Sequence, residues 1–545
     1  MGIRTESRSF TEVRRELAQG AFAVPKLQRE FVWNPPKVCK LLDSMYRGYP
    51  IGNLMIWETP RRNAGLLRTS VSLLPPFDSR NHAAIKFIID GQQRLTVLHQ
   101  ISNALDFHGD IDFRRVFFDP DAEPDADVFA YRSLRSAGGL ISAFDLLSLR
   151  WRQHATHLGE RRLRRVQRCR QLLLDYRLLF TVIDDFTLDE VRDTFIRINS
   201  QGMRIAAADV AFARAAESGL RELIRDARSE LTNGFEEVGN ECLLQAVAFA
   251  MDEHDVGGIV FDRVARKIER DGDYRARFLK LWPHLSLGFR LAVDFVETFG
   301  VRGYGDLPSD YLLTMLSLYF FYSDSTRPRG SVRRQIERWF WVAVTSTRYT
   351  GPGYRANLLA DAEFVRRLGE SRRANLSNVE LQPLSMLKHT DYSHGGMLVD
   401  GYFCLLRLRG PRYFEDGEPV PAGVVSASGN RSDRHHIYPK ALLRDHGVPE
   451  RLRNSLCNVC YVVARENQSI GRRDPRDYLE TAPDGIAGSR RILFRSLDSH
   501  LIPREILKWN GSVRHEYKTF LDARALFIAR EFEARAGARL FSREL

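Results

Sequence analysis

Cysteine is scarce. The 545-residue chain holds six, Cys39, Cys169, Cys242, Cys404, Cys457 and Cys460. They are too scattered for a disulfide framework, and a reducing, cytoplasmic setting is the expectation. Long apolar runs are also missing. The most apolar stretch, residues 311–322 (YLLTMLSLYFFY), falls short of the ~20 residues a spanning helix needs and reads as a buried core helix, so no membrane partner is expected. The first twenty residues carry no apolar signal core and no cleavage signature. No repeat of fixed period and no low-complexity tract occur. There is no GxxxxGK[ST], so any nucleotide chemistry does not rest on a P-loop. Lysine is sparse as well, about ten against about seventy arginines, and arginine is the better bidentate partner for phosphate.

The charge is far from balanced. A net +12 with a pI near 9.5 points to a polyanionic partner, most simply nucleic acid. A GC-rich genome would account for arginine in place of lysine but not for the excess. With 44% hydrophobic and 28% charged residues the composition is globular, and the length suggests two to four domains.

Hydrophobic periodicity predicts helices over residues 10–19, 36–48, 151–179 and 188–198, and strands over 51–57, 85–89, 116–118 and 180–183. A helical pattern starts immediately after Asp90-Gly91. Residues 206–350 keep a helical period, and residues 410–432, rich in Pro, Gly and Ser, read as a loop. The fold class expected is α+β and multidomain.

The densest polar chemistry lies near the C-terminus. Asp433-Arg434-His435-His436-Ile437-Tyr438-Pro439 sets two imidazoles side by side before a proline that ends a strand. Asn458 follows in NSLCNVCYVV, and Asn467 in ARENQSIGRRDP. Phosphodiester hydrolysis needs a base for water and a divalent ion for the developing charge, and this set can supply both. Neighbours on a strand face opposite sides, so both histidines serve one site only if the strand ends there. The alternatives are a surface His pair with turn asparagines, or a zinc site built on Cys457-x-x-Cys460, although structural zinc needs four ligands. The basic residues Arg472, Arg473 and Arg476 come next.

This His–Asn–Asn order resembles the HNH nuclease family, a ββα-metal fold, in the branch with a terminal Asn. The resemblance implies His436 as general base, His435 and Asn467 as ligands of Mg2+ or Mn2+, and Asn458 as the orienting residue. The two histidines could exchange roles, and Asp433 is an alternative ligand.

At the other end stand VPKLQREFVW (Gln28, Arg29, Trp33), GYPIGNLMIWE, IIDGQQRLTVL (Asp90, Gly91, Gln92, Gln93, Arg94) and FIRINSQGMRIAAAD (Asn199, Gly202, Asp209). A buried strand ending in Asp-Gly with a helix beginning at once presents free N–H groups and the positive end of a helix dipole, an anion site. Arg94 could bind phosphate bidentately, and Asp90 could hold Mg2+ or polarise water. Trp33 and Trp57 read as core. The arginine-rich stretch 161–170 reads either as a solvated face or as a DNA-backbone contact.

In this order the N-terminal pieces resemble the N-terminal domain of GmrSD-type modification-dependent restriction enzymes, whose usual partner is an HNH half. The resemblance implies a ParB/sulfiredoxin-like α/β sensor domain over 1–220, a mainly helical middle over 221–390 and a helical HNH domain over 391–545. It further implies an NTP (GTP or UTP) held by Gln28, Arg29, Gly91, Gln92, Gln93, Arg94 and Asn199, with Asp90 and Arg94 in its hydrolysis. The function implied is type IV restriction: sensing modified duplex DNA, such as glucosylated or phosphorothioate DNA, and cutting it under nucleotide control in anti-phage defence. Homo-oligomerisation is among the options. The alternatives are a nucleotide-switched DNA-binding regulator with an inactive HNH half, and a toxin acting on RNA.

Overall fold

The computed structural model describes residues 2–542 except 27, 29–30, 68–72, 79, 81, 104–110, 124, 134–138, 157, 202–205, 347, 352, 378, 421–433, 462–469 and 509–510. At 65, 189, 192, 196, 198–201 and 434 it describes the backbone alone. Arg29, Gly202, Asp433 and Asn467 therefore lie outside the described residues, and so does the side chain of Asn199.

Two compact units divide the chain, Met1–Arg221 and Glu222–Leu545. The first is built on a five-stranded mixed sheet in the order β1 (Gly2–Ser9), β8 (Arg177–Asp184), β3 (Leu54–Pro60), β4 (Ala84–Asp90), β2 (Phe22–Ala23). β1–β8 and β3–β4 pair antiparallel, and β3–β8 and β2–β4 parallel. Alternation along β4 decides its two faces. Ile85, Phe87 and Ile89 join Trp57, Ile183, Val191 and Phe195 in one core. Ile88 meets the other core, with Phe10 and Val13 of α1 (Phe10–Ala18), Val38 and Leu42 of α2 (Pro35–Tyr46), and Leu95 and Leu98 of α3 (Gln92–Asn103). With cores on both faces the strand interior is apolar except for the half-buried Lys86, the mostly buried strand its sequence predicted.

A small antiparallel sheet, β6 (Phe129–Tyr131), β5 (Val116–Phe118), β7 (Ile141–Ser142), adds to this unit. The helix expected over 151–179 is instead α5 (Trp151–His154) and α6 (Glu160–Asp175), after the short α4 (Ala143–Leu147). Gly159 is the N-cap of α6, and the chain turns extended at Arg177 because Leu178 and Leu179 pair with Arg8 and Ser7 of β1. α7 (Leu188–Gln201) and α8 (Ala207–Arg214) complete the unit.

The second unit is mainly helical. Its long helices include α10 (Asn240–Ala250), α11 (Gly258–Arg270), α12 (Gly272–Val296), α13 (Asp310–Tyr322), α14 (Gly330–Thr345), α15 (Tyr354–Gly369) and α17 (Met397–Leu408), after α9 (Leu220–Ser229) at the boundary and with α16 (Ser385–His389) between the last two. The apolar stretch at 311–322 is indeed a core helix, α13. It lies so close to α12 that a Cβ on Gly288 would stand 2.5 Å from the Ser317 carbonyl oxygen. Asp361, fully buried, accepts from Arg348 Nε (2.7 Å), Tyr349 Oη (2.6 Å) and Trp339 Nε1 (3.1 Å). A terminal helix, Val513–Ala536, packs on α14 and α16. No helix among the described residues is long and apolar enough to cross a membrane.

Candidate functional site

Two short strands carry the C-terminal constellation. β10 (Arg434–His436) pairs antiparallel with β11 (Val459–Tyr461), His435 opposite Cys460 and His436 opposite Val459. Pro439 cannot donate to a ladder, so regular pairing must stop near it. The fully buried Asn458 takes over. Its carbonyl accepts Ile437 N–H (2.8 Å). Its side-chain oxygen accepts Tyr438 N–H (2.8 Å), and its amide donates to the carbonyls of Tyr438 (3.0 Å) and Arg453 (3.2 Å). The side chain thus imitates a peptide group and continues the ladder past the strand end.

Further clamps hold the same hairpin. Tyr478 Oη donates to Ile437 O (2.6 Å) and Tyr402 Oη to Val459 O (2.7 Å). Arg524, fully buried, donates to the carbonyls of Cys457 (2.7 Å), Val459 (2.9 Å), His500 (2.9 Å) and Leu501 (3.3 Å) and to Tyr402 Oη (2.7 Å). None of these residues was singled out from sequence. Tyr402 and Arg524 stand 57 and 65 residues from Val459, and nothing local marks them.

The two imidazoles are largely buried. Burial pushes His435 down to about 4 and His436 down to about 3, the latter with Lys440 and His435 adding to the effect. Both rings are therefore neutral at pH 7. Among the described residues, neither Nε2 has a hydrogen-bond partner. His436 packs edge-on against Tyr392, 5.3 Å between ring centroids. Asn454 and Asp391 lie near it, and Asn454 Nδ2 donates to Asp391 Oδ2 (3.2 Å). An orphaned neutral imidazole nitrogen offers one lone pair, which suits either a divalent cation or a water proton.

Cys457 and Cys460 are buried, and burial pushes the Cys457 thiol up to about 12. The described residues contain no cluster of three or more His, Cys, Asp or Glu able to hold a metal. Arg476, expected in a basic stretch, is spent internally on Asp474 (2.9 Å) and Glu516 (3.2 Å).

In the first unit the structure brings together most of the described N-terminal candidates. Asp90 ends β4, and Gly91 takes φ +94°, where a Cβ would lie 2.1 Å from Leu54 Cδ2. Only glycine makes this turn. Asp90 Oδ1 accepts Gly91 N–H (2.7 Å), and Oδ2 pairs with Arg94 Nη2 (2.9 Å). Arg94 also donates to Ile51 O (2.7 Å) and Asn53 O (2.9 Å). Its fork thus fastens the 51–53 segment to the end of β4. Gln28 is buried and donates to the carbonyls of Ile88 (3.1 Å) and Ile89 (2.7 Å). Gln93 Oε1 accepts Val32 N–H (2.9 Å). Gln92 is buried with an unpartnered Oε1, an acceptor at the helix start. Asn199 lies near the end of α7, and Asp209 in the first turn of α8. Trp57 is core, and Trp33 packs against the other core.

Residues 10–215 match the GmrSD restriction endonuclease, N-terminal domain. The match runs from α1 through α8 and so takes in the Asp90–Arg94 turn. It supports a restriction enzyme of the GmrSD type. An uncharacterized protein of Methanocaldococcus jannaschii is 21% identical over 540 residues, covering 88% of this chain and 87% of that protein. That alignment extends through both units.

Proposed function

We propose that the chain is a type IV restriction endonuclease, in which the N-terminal unit senses modified DNA under nucleotide control and the β10–β11 hairpin hydrolyses phosphodiester bonds. The observation that carries this reading is the coincidence, in one chain, of the GmrSD match with two neutral, largely buried imidazoles, each with an unpartnered Nε2 among the described residues, on a clamped hairpin.

His436, neutral at pH 7, takes a proton from the attacking water at its free nitrogen. Tyr392 packs against the edge of the His436 ring, and Asn458 fixes the backbone two residues on, so the ring is preoriented. Asn454 and Asp391 beside it favour the imidazolium that forms. His435 with Asn467 would hold Mg2+ or Mn2+, which supplies charge against the developing phosphorane and the leaving oxygen.

In the N-terminal unit, the Asp90–Arg94 pair and Gln28 shape the β4–α3 turn. Gln92 and the helix start remain as the groups to meet an NTP, and the orphaned Gln92 oxygen suits a hydroxyl or water donor.

The test is a panel of plain, glucosylated and phosphorothioate DNAs with Mg2+ or Mn2+, each with and without GTP or UTP, scored for cleavage and phosphate release. His436→Ala should abolish cleavage while circular dichroism stays unchanged. A His436→Ala protein that cuts like the parent overturns the assignment of the hairpin.

A further inference from the structure

Beside the hairpin, the second unit holds a cavity of about 460 Å3 that the nuclease chemistry leaves unused. Its floor is apolar: Val448, Leu452 and Leu521. Its rim is cationic: Lys388, Arg514 and Lys518, with His389 and His515. The single carboxylate in the lining, Asp522, is already paired with Lys388 (2.5 Å). Arg514 and Lys518 are exposed and make no ion pair among the described residues. This is unlike many arginines of the chain, such as Arg348, Arg407 and Arg476, which are committed to carboxylates.

The cavity also receives the start of the 24-residue helix Val513–Ala536. Its N-cap, Ser512, lines the cavity and makes no side-chain cap bond. The first-turn N–H groups have no intrahelical acceptor, and the dipole adds positive potential at the same mouth. An apolar floor under a rim that carries two exposed cations, Arg514 and Lys518, with no ion pair among the described residues is complementary to an anion attached to a flat apolar body. The volume lies within the range of small-ligand sites.

We infer that this cavity binds a nucleoside phosphate, the base against Leu452 and Leu521 and the phosphate between Arg514 and Lys518. Such a group comes either as a free nucleotide or as one nucleotide of a DNA strand. Binding here does not depend on the hairpin being catalytic.

Lysine acylation footprinting of the full chain by mass spectrometry tests it, with AMP in one arm and an eight-nucleotide single-stranded DNA in the other. Lys518 should be protected severalfold, while the exposed Lys280 stays fully reactive. Protection by AMP assigns a free nucleotide, and protection by the oligonucleotide alone assigns a strand. The double variant Arg514→Ala/Lys518→Ala, whose side chains are exposed, should bind the effective probe about tenfold more weakly, a loss of one or two charge-assisted contacts. Because the variant removes Lys518, its binding is read by equilibrium dialysis. The inference is overturned if neither probe at millimolar concentration protects Lys518, or if the double variant binds as the parent does.

Discussion

Replacing Arg524 tests whether the β10–β11 hairpin is held by one buried guanidinium. Among the described residues Arg524 has no carboxylate partner. Its charge is spread over four backbone carbonyls and the Tyr402 hydroxyl. Val459 O would retain Tyr402 Oη as a donor, so Arg524→Met orphans chiefly the carbonyls of Cys457, His500 and Leu501. At about 1–1.5 kcal/mol for each buried acceptor left unmade, the loss is about 3–4 kcal/mol. Relief from burying a charge offsets part of it. Arg524→Lys keeps the charge but not the planar fork, and an ammonium is more strongly hydrated and dearer to bury. Lysine should therefore be no better tolerated than methionine. Native-state hydrogen exchange is the assay, read at the amides of Val459–Tyr461. A loss of about 3 kcal/mol speeds exchange through the opened state roughly a hundredfold. Parent-like exchange in Arg524→Lys would refute the reasoning, because charge alone, without the fork, would then suffice.

Three further outcomes are expected. Asp361→Ala leaves the buried Arg348 guanidinium, Tyr349 Oη and Trp339 Nε1 without their shared acceptor. It should cost about 3–5 kcal/mol in urea unfolding of the second unit, and a loss under about 1 kcal/mol would show that water replaces the carboxylate. His500 is fully buried, stacked on Phe414, with Nδ1 at 3.0 Å from Ser496 O, and burial pushes it down to about 4. A depressed histidine favours the neutral form in the folded state. Its contribution is thus whole above pH 6.5 and is lost as pH falls towards 4, by about 3 kcal/mol. His500→Gln should flatten the stability profile over that window, and an unchanged slope would refute it. Arg161, Arg164 and Arg168 are exposed on one side of α6 and make no ion pair among the described residues, whereas Arg165 and Arg170 donate to the carbonyls of Ala122 and Leu146. If the exposed three track a DNA backbone, their triple alanine variant should lower the slope of log K against log salt by about 2.7; an unchanged slope makes the face merely solvated.

What could be read from sequence divides along physical lines. Strand β4 and the turn after it were legible because both faces of the strand are covered and the turn requires glycine, so the local pattern and the tertiary environment agree. β1 was not, because GIRTESRS is an edge strand whose exposed side chains show no apolar alternation; charged edges resist stray pairing. The His435–His436 pair and Asn458 stood out as residue types, and the structure adds what Asn458 does: it supplies the ladder rungs at Ile437 and Tyr438, between the end of the strand and Pro439. For Arg94 the residue type suggested a phosphate fork, and the structure shows that fork engaged with Asp90, Ile51 and Asn53. An arginine beside an Asp-Gly turn can serve a ligand, its own loop or both, and its contacts to the 51–53 carbonyls are not legible from residue type. The same reasoning explains why Tyr402, Tyr478 and Arg524 were invisible. They recognise backbone carbonyls, which every sequence possesses, so no partner residue type betrays them. On the proposed function, a site that takes its reactive atoms from two adjacent histidines but is positioned by contacts to peptide groups announces its chemistry in sequence and conceals its rigidity. Tolerance to mutation should follow that division: substitutions at the histidines remove chemistry from an intact fold, whereas substitutions at the clamps remove chemistry by loosening the hairpin.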